Sequence, residues 1–125
     1  DDAIISKTPE GVVTSWNKGA ERMFGFIAQE AIGRNIKQLV IPAEKYQEHD
    51  QLLERVMAGE HLSHFLTQAV SKTGQTIDVS INFSPIRDQQ GRIVSISSIK
   101  RDVTESIKAA HAIEDHQKEL ERSNK

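Results

Sequence analysis

Five histidines and no cysteine set the limits of what chemistry this 125-residue chain could perform. His49-Asp50 is an isolated dipeptide, whereas a metal-dependent hydrolase needs further His and Asp ligands at matching positions, and none follows. His61 and His64 fall on opposite faces of an extended segment, so they do not form a metal pair. His111 and His116 are five residues apart, which on a helix separates them by about 140° around the axis. The seven glycines are scattered at turns and helix ends and form no phosphate-cradling loop. No serine sits in a nucleophile-elbow pattern. Without cysteine there is no disulfide, thiolate nucleophile, Cys-type zinc site or cysteinyl adduct. These residues predict no catalytic centre.

What remains is the chemistry of a pocket. His49 falls on the apolar stripe of an internal helix, where it could be an axial ligand to haem iron or a histidine at a helix–sheet boundary. Trp16 could line a ligand pocket or serve as a core aromatic at the end of a strand. Ser80, Asn82 and Ser84 could donate hydrogen bonds to a ligand, or form the solvated face of a half-buried strand.

The elements that must position these residues can be read from turn and periodicity signals. Ala3 to Ser6 and Val12 to Trp16 are β-prone runs joined by Thr8-Pro9-Glu10-Gly11, a turn with Pro setting φ and Gly permitting positive φ. Asn17 suits a helix N-cap, with Ala20, Met23 and Phe24 on one side of a short helix stopped by Gly25. Ala28 to Ile32 and Asn35 to Leu39 could add two more short helices. After Pro42, Ala43 to Ala58 is the longest internal helix. Its stripe is Tyr46, His49, Leu52, Leu53, Val56 and Met57, and Gly59 closes it.

The pattern then switches to strands. Leu62 to Val70 leads to a turn at Ser71 to Gly74. Ile77, Val79, Ile81 and Phe83 alternate with polar residues up to Pro85, which is expected to close that strand. Asp88 to Gly91 turns the chain, and Arg92 to Arg101 returns. Asp102 caps a final helix in a capping-box variant with Glu105. In that helix Val103, Ala110, Ile113, Gln117, Leu120 and Asn124 recur at coiled-coil spacing. The expected order is β-β-α-α-α-α-β-β-β plus a charged helix, an α+β class, with a boundary near residue 102.

Net charge −2 gives no basic excess for nucleic acid, and no apolar run approaches the roughly 18 residues of a membrane span. A cytoplasmic setting is expected. The chain opens on Asp1-Asp2 and not on Met, which reads as a piece of a longer protein.

These residues together resemble a known family. Gly11-Val-Val-Thr-Ser-Trp-Asn17, Ala20-Glu-Arg-Met-Phe-Gly-Phe26 and Glu30-Ala-Ile-Gly33 look like the first half of a PAS domain. Arg55 to Glu60, Lys72-Thr-Gly74, Ser84 to Asp88, Gly91 to Val94 and Arg101-Asp-Val-Thr-Glu105 resemble the second half, in order and spacing. The resemblance implies the PAS fold: a five-stranded antiparallel sheet in order 2-1-5-4-3 with short helices on one face, here followed by a coiled-coil-like helix.

It also implies a non-catalytic sensory and dimerisation module, residues 1–102, passing a signal through residues 103–125 to an effector. The expected effector is a histidine kinase of a bacterial two-component system, with a diguanylate cyclase as the alternative; Glu119 to Lys125 resembles linkers that precede kinase dimerisation domains. Asp102, Thr104 and Glu105 stand at the family's strand-to-output junction. Candidate pocket residues are Trp16, Met23, Phe24, Tyr46, His49, Leu53, Phe65 and Asn82.

Two departures bear on cofactors. The light-sensing branch needs a cysteine to react with flavin, and this chain has none. Haem-binding members carry a His in the region of His49, but the Arg that oxygen sensors place on the next strand stands here as Phe65. Lys72-Thr73-Gly74 replaces the usual Lys-Asp-Gly turn. Expected partners are a second copy through the C-terminal helix, the attached effector and a small-molecule ligand, with no nucleic acid and no membrane.

Overall fold

The computed structural model describes residues 1–110; the expected coiled-coil positions from Ile113 onward, and His111 and His116, lie outside the described residues. Five strands form one antiparallel sheet: β1 Ala3–Lys7, β2 Val13–Trp16, β3 Leu62–Val70, β4 Thr76–Arg87 and β5 Ile93–Asp102. Their spatial order is β2-β1-β5-β4-β3, as the resemblance implied. Between β2 and β3 come α1 Lys18–Phe24, α2 Ala28–Ala31, α3 Ile36–Val40, a 3-10 turn at Ala43–Lys45 and α4 Tyr46–Met57.

Each local element follows from a local cause. The first hairpin closes with Gly11 N–H donating to the Thr8 carbonyl at 2.9 Å. The Asn17 side chain accepts from Ala20 N–H at 2.8 Å and from Ile4 N–H at 2.9 Å, so one amide starts α1 and fixes it to β1. At the end of α4, Gly59 N–H donates to Val56 and Glu60 N–H to Arg55, the paired bonds of a Schellman cap.

The sheet buries one face beneath the helices. Alternation places Ala3, Ile5 and Lys7 of β1, Ile77, Val79, Ile81 and Phe83 of β4, and Ile96, Ser98 and Lys100 of β5 on that inner face. From the helices, Ala20, Phe24, Ile36, Val40, Leu52 and Val56 complete the core.

Several boundaries differ from the sequence reading, among them the expected helix Ala43 to Ala58, which begins as a 3-10 turn at Ala43–Lys45 before α4; three others bear on the site. First, β4 runs through Pro85 to Arg87. Its partner β3 ends opposite Phe83, so beyond that point β4 has a free edge where proline is tolerated. Second, Asp102 is the last residue of β5, and the final helix starts at residue 104. The Asp102 carboxylate nevertheless accepts from Thr104 N–H at 2.9 Å, so it serves the helix start from one residue further back. Third, β1 extends to Lys7, a position that decides the character of the core.

Among the described residues, no helix is long and apolar enough to cross a membrane, and no cluster of three His, Cys, Asp or Glu could hold a metal ion.

Candidate functional site

The interior between the helices and the sheet contains two lysines that the sequence reading did not single out. Lys7 is 0% and Lys100 1% exposed. Both sit on inner-face positions of adjacent central strands, where the pleat sends the side chain under the helices. Neither ammonium group is within 4 Å of a carboxylate among the described residues. Each instead lies against an aromatic face: Lys7 Nζ is 4.9 Å from the Phe83 ring centroid and Lys100 Nζ 5.6 Å from that of Phe24.

His49 joins this group. It is 4% exposed on α4, and its Nε2 lies 3.5 Å from Lys7 Nζ. Its Nδ1 is buried without a hydrogen-bond partner. If the lysine donates to Nε2, the ring proton sits on Nδ1, and that buried N–H has nothing to donate to. Burial, reinforced by the charges of Lys7, Lys100 and Lys37, pushes His49 down to about 2, so the ring is neutral at physiological pH. Burial alone pushes Lys100 down to about 8. Lys7 is driven well below the ordinary lysine range, by burial first and the Lys100 charge second.

Beside His49 lies a cavity of about 20 Å³, lined by Ile41, His49 and Leu52 from the helical side and by Thr67, Ile81 and Phe83 from the sheet. Such a volume is near the lower limit for a single water. The His49 imidazole faces Lys7, and the cavity beside it is far smaller than a haem. The same buried position on the apolar stripe serves a cationic core.

The remaining candidates divide between the two faces of the sheet. Trp16 is buried, packs on Phe24 at 5.8 Å between centroids, and donates from Nε1 to the Phe26 carbonyl at 2.9 Å. Leu53 is buried on the α4 stripe, while Met23 and Phe65 are half-buried against the core. Tyr46 is partly exposed and donates its hydroxyl to the Lys37 carbonyl at 3.1 Å. Of these, only His49 lines the cavity described above.

Asn82 lies on the other side of the sheet, because the alternation that turns Ile81 and Phe83 inward turns it out. There its Oδ1 accepts from His64 N–H at 2.7 Å. His64 has φ 55 and sits in a bulge where Leu62 pairs with Phe83 and Phe65 with Ile81. Three steps on β3 thus match two on β4, which returns Phe65 to the inner face. Asn82 holds that bulge.

The junction residues also come together. Val103 N–H donates to the Asp78 carbonyl at 2.8 Å, and Asp78 N–H donates to Thr104 Oγ1 at 3.2 Å. With the Asp102–Thr104 bond, the last strand, the start of β4 and the final helix form one hydrogen-bonded unit. Glu105 shares an open groove with Arg22, Met23, Asp102 and Lys108.

Comparison with known proteins places this geometry in context. The PAS domain family profile matches residues 1–105. The biofilm dispersion protein BdlA of Pseudomonas aeruginosa is 24% identical over 122 residues, 97% of this chain and 29% of its own length. Phytochrome E of Arabidopsis thaliana is 24% identical over 109 residues, covering 81% of this chain and 10% of that protein. The chain therefore spans less than a third of either relative.

Among solved structures, the PAS domain of a protein from Colwellia psychrerythraea superposes with a TM-score of 0.75 at 24% identity, covering 83% of this chain and 87% of that one. An RNA-binding light-oxygen-voltage receptor gives 0.79 at 22% identity, covering 94% and 34%. Sequence pattern, strand order and these matches agree: the chain belongs to the PAS domain family.

Proposed function

We propose that residues 1–102 act as a sensory module whose state passes through β5 into residues 103–125 and from there to an effector in a longer protein. The observation that carries this reading is the Asp78 junction. Asp78 bonds both Val103 and Thr104, so a shift of β4 against β5 moves the first turn of the helix with it. Packed elements of this kind change between discrete arrangements, and a ligand that favours one arrangement biases the output.

The effector proposed is a histidine kinase, on the likeness of Glu119 to Lys125 to kinase linkers. The partner proposed for the chain itself is a second copy, joined through residues 103–125. The module is expected to work in the cytoplasm and to carry no phosphotransfer or cyclase activity of its own.

The test uses the full-length protein with Thr104→Val and Asp102→Ala. ATP-dependent autophosphorylation that changes at least threefold while the sheet stays folded supports the reading. GTP-dependent cyclic dinucleotide formation would replace the kinase with a diguanylate cyclase. Output indifferent to both substitutions would remove the relay. Chains cut after Arg101 should sediment as monomers at concentrations where the full 125 residues associate.

A further inference from the structure

The two edges of the sheet are finished differently. On β2 the chain covers its own edge: Val13 N–H donates to the Arg34 carbonyl at 2.9 Å, Gly33 N–H donates to the Val13 carbonyl at 2.8 Å, and Val12 bridges to Asn35. Among the described residues no segment bonds to the edge of β3 in this way. Ser71 N–H donates to the Gln75 carbonyl, which starts the β3–β4 ladder on a hydrogen-bonded pair. The ladder then alternates. Ala69 and Thr67 bond to β4, while Leu66, Gln68 and Val70 turn their N–H and carbonyl groups to the open side. Asp78, opposite Gln68, agrees, since its carbonyl accepts from Val103 on the β5 side.

Sheet edges are ordinarily blunted by short length, charge or proline. β3 has nine residues, and residues 65–70 include no charge, proline or glycine. Leu66 is 63% exposed there. The bulge at His64 ends the regular stretch on one side, and the turn after Val70 ends it on the other.

The charges beside this edge say what fits it. Lys45 and Glu48 stand with Thr67 and Gln68 around one cavity, and neither is in an ion pair among the described residues. One cation and one anion beside a strand are complemented by the same strand turned about a two-fold axis. An axis at Gln68 sets Gln68 against Gln68 and Leu66 against Val70. Outward donors then meet outward acceptors, and each Lys45 faces the Glu48 of the other copy.

We propose that residues 66–70 of β3 pair antiparallel with the same residues of a second copy, about a two-fold axis at Gln68. This contact is separate from the association through residues 103–125. So short a pairing is weak, and it forms at higher concentrations than that association.

The chain has no cysteine, so a single introduced cysteine reports one position. Residues facing each other in a hydrogen-bonded antiparallel pair stand about 5.5 Å apart at Cα, within disulfide range. In the 125-residue chain at about 1 mM under air, Gln68→Cys should form a disulfide dimer about tenfold faster than Thr14→Cys on the opposite edge. Leu66→Cys should couple to Val70→Cys faster than to itself. Lys45→Glu should slow the Gln68→Cys coupling several-fold, and adding Glu48→Lys should restore it. In the unsubstituted chain, amide exchange at Leu66, Gln68 and Val70 should slow about threefold between about 0.05 and about 1 mM.

Gln68→Cys coupling no faster than that of Thr14→Cys overturns the proposal, as does coupling indifferent to the charge reversals. Exchange at the three amides that ignores concentration also overturns it: fast exchange means an open edge, and slow exchange means cover by the chain itself. Slowing spread evenly over the sheet has the same consequence.

Discussion

Asp78 holds Thr104 across 26 positions of sequence, its backbone N–H donating to the threonine hydroxyl at 3.2 Å. With the Val103 bond to the Asp78 carbonyl, this gives the first turn of the last helix a fixed attachment to the start of β4. Removing the hydroxyl in Thr104→Val should cost about 1 kcal/mol of global stability. The local effect should be larger: hydrogen exchange at Asp78 and at residues 103–107 should accelerate at least tenfold, while the β4–β5 ladder stays protected. Uniform acceleration across the sheet would assign the bond to general stability instead.

The buried lysines make a prediction of opposite sign to most core substitutions. Burial lowers Lys100 from 10.5 to about 8, which at neutral pH corresponds to roughly 3 kcal/mol of lost stability. Lys100→Met keeps the length and removes the charge. The variant should have a higher urea midpoint than the parent chain, with an unfolding free energy greater by roughly 1–3 kcal/mol. A lower midpoint would mean that the ammonium group is well satisfied where it lies.

The pH dependence follows from the same groups. Lys100 is depressed on folding, so the unfolded chain binds more protons between about 8 and 10.5, and stability rises with pH across that window. Lys7, lowered by burial and by the Lys100 charge, acts in the same direction. His49, at about 2 when folded against 6.5 when free, contributes stability that is complete above 6.5 and is lost as pH falls toward 2. Unfolding midpoints should therefore climb from acid to mildly alkaline solution, and His49→Leu should flatten the limb below pH 6.5.

Gly19 tests the seam between α1 and β1. A Cβ there would stand 2.1 Å from the Asp2 carbonyl oxygen, which is backbone and cannot swing aside. Asn17 supports the same seam from the other side, accepting from Ile4 N–H and donating to the Asp2 carbonyl at 3.1 Å. Gly19→Ala should lower stability by about 2 kcal/mol or more despite the better helix propensity of alanine, and Asn17→Ala by about 1–2 kcal/mol. Calorimetry of both variants checks the order.

The inner face of β4 was legible because Ile77 to Phe83 alternate without a break, and the hairpins because each turn carries its glycine; the spatial strand order came from the family resemblance. The core chemistry was harder to see. Ala3, Ile5 and Lys7, like Ile96, Ser98 and Lys100, keep strict period-two spacing, so extending the alternation by one step would have placed both lysines inside. Charge pulls the reading the other way, since lysine is almost never fully buried. The β3 bulge gave no periodic signal either. A left-handed residue at His64 resets the register, and only the pairing with β4 reveals it. Asn82 was drawn into the pocket by its polarity, although its neighbours Ile81 and Phe83 already fixed which way it points.

Asp2 and Arg101 are paired at 3.2 Å, and the next residues along, Ala3 and Lys100, are partners in the β1–β5 ladder. The chain thus enters and leaves the sheet at one corner, through its two central neighbouring strands. Whatever is joined before residue 1 and after residue 102 meets the module at a single doorway. Such a domain can be spliced between others, or repeated in tandem, without pushing the flanking segments apart.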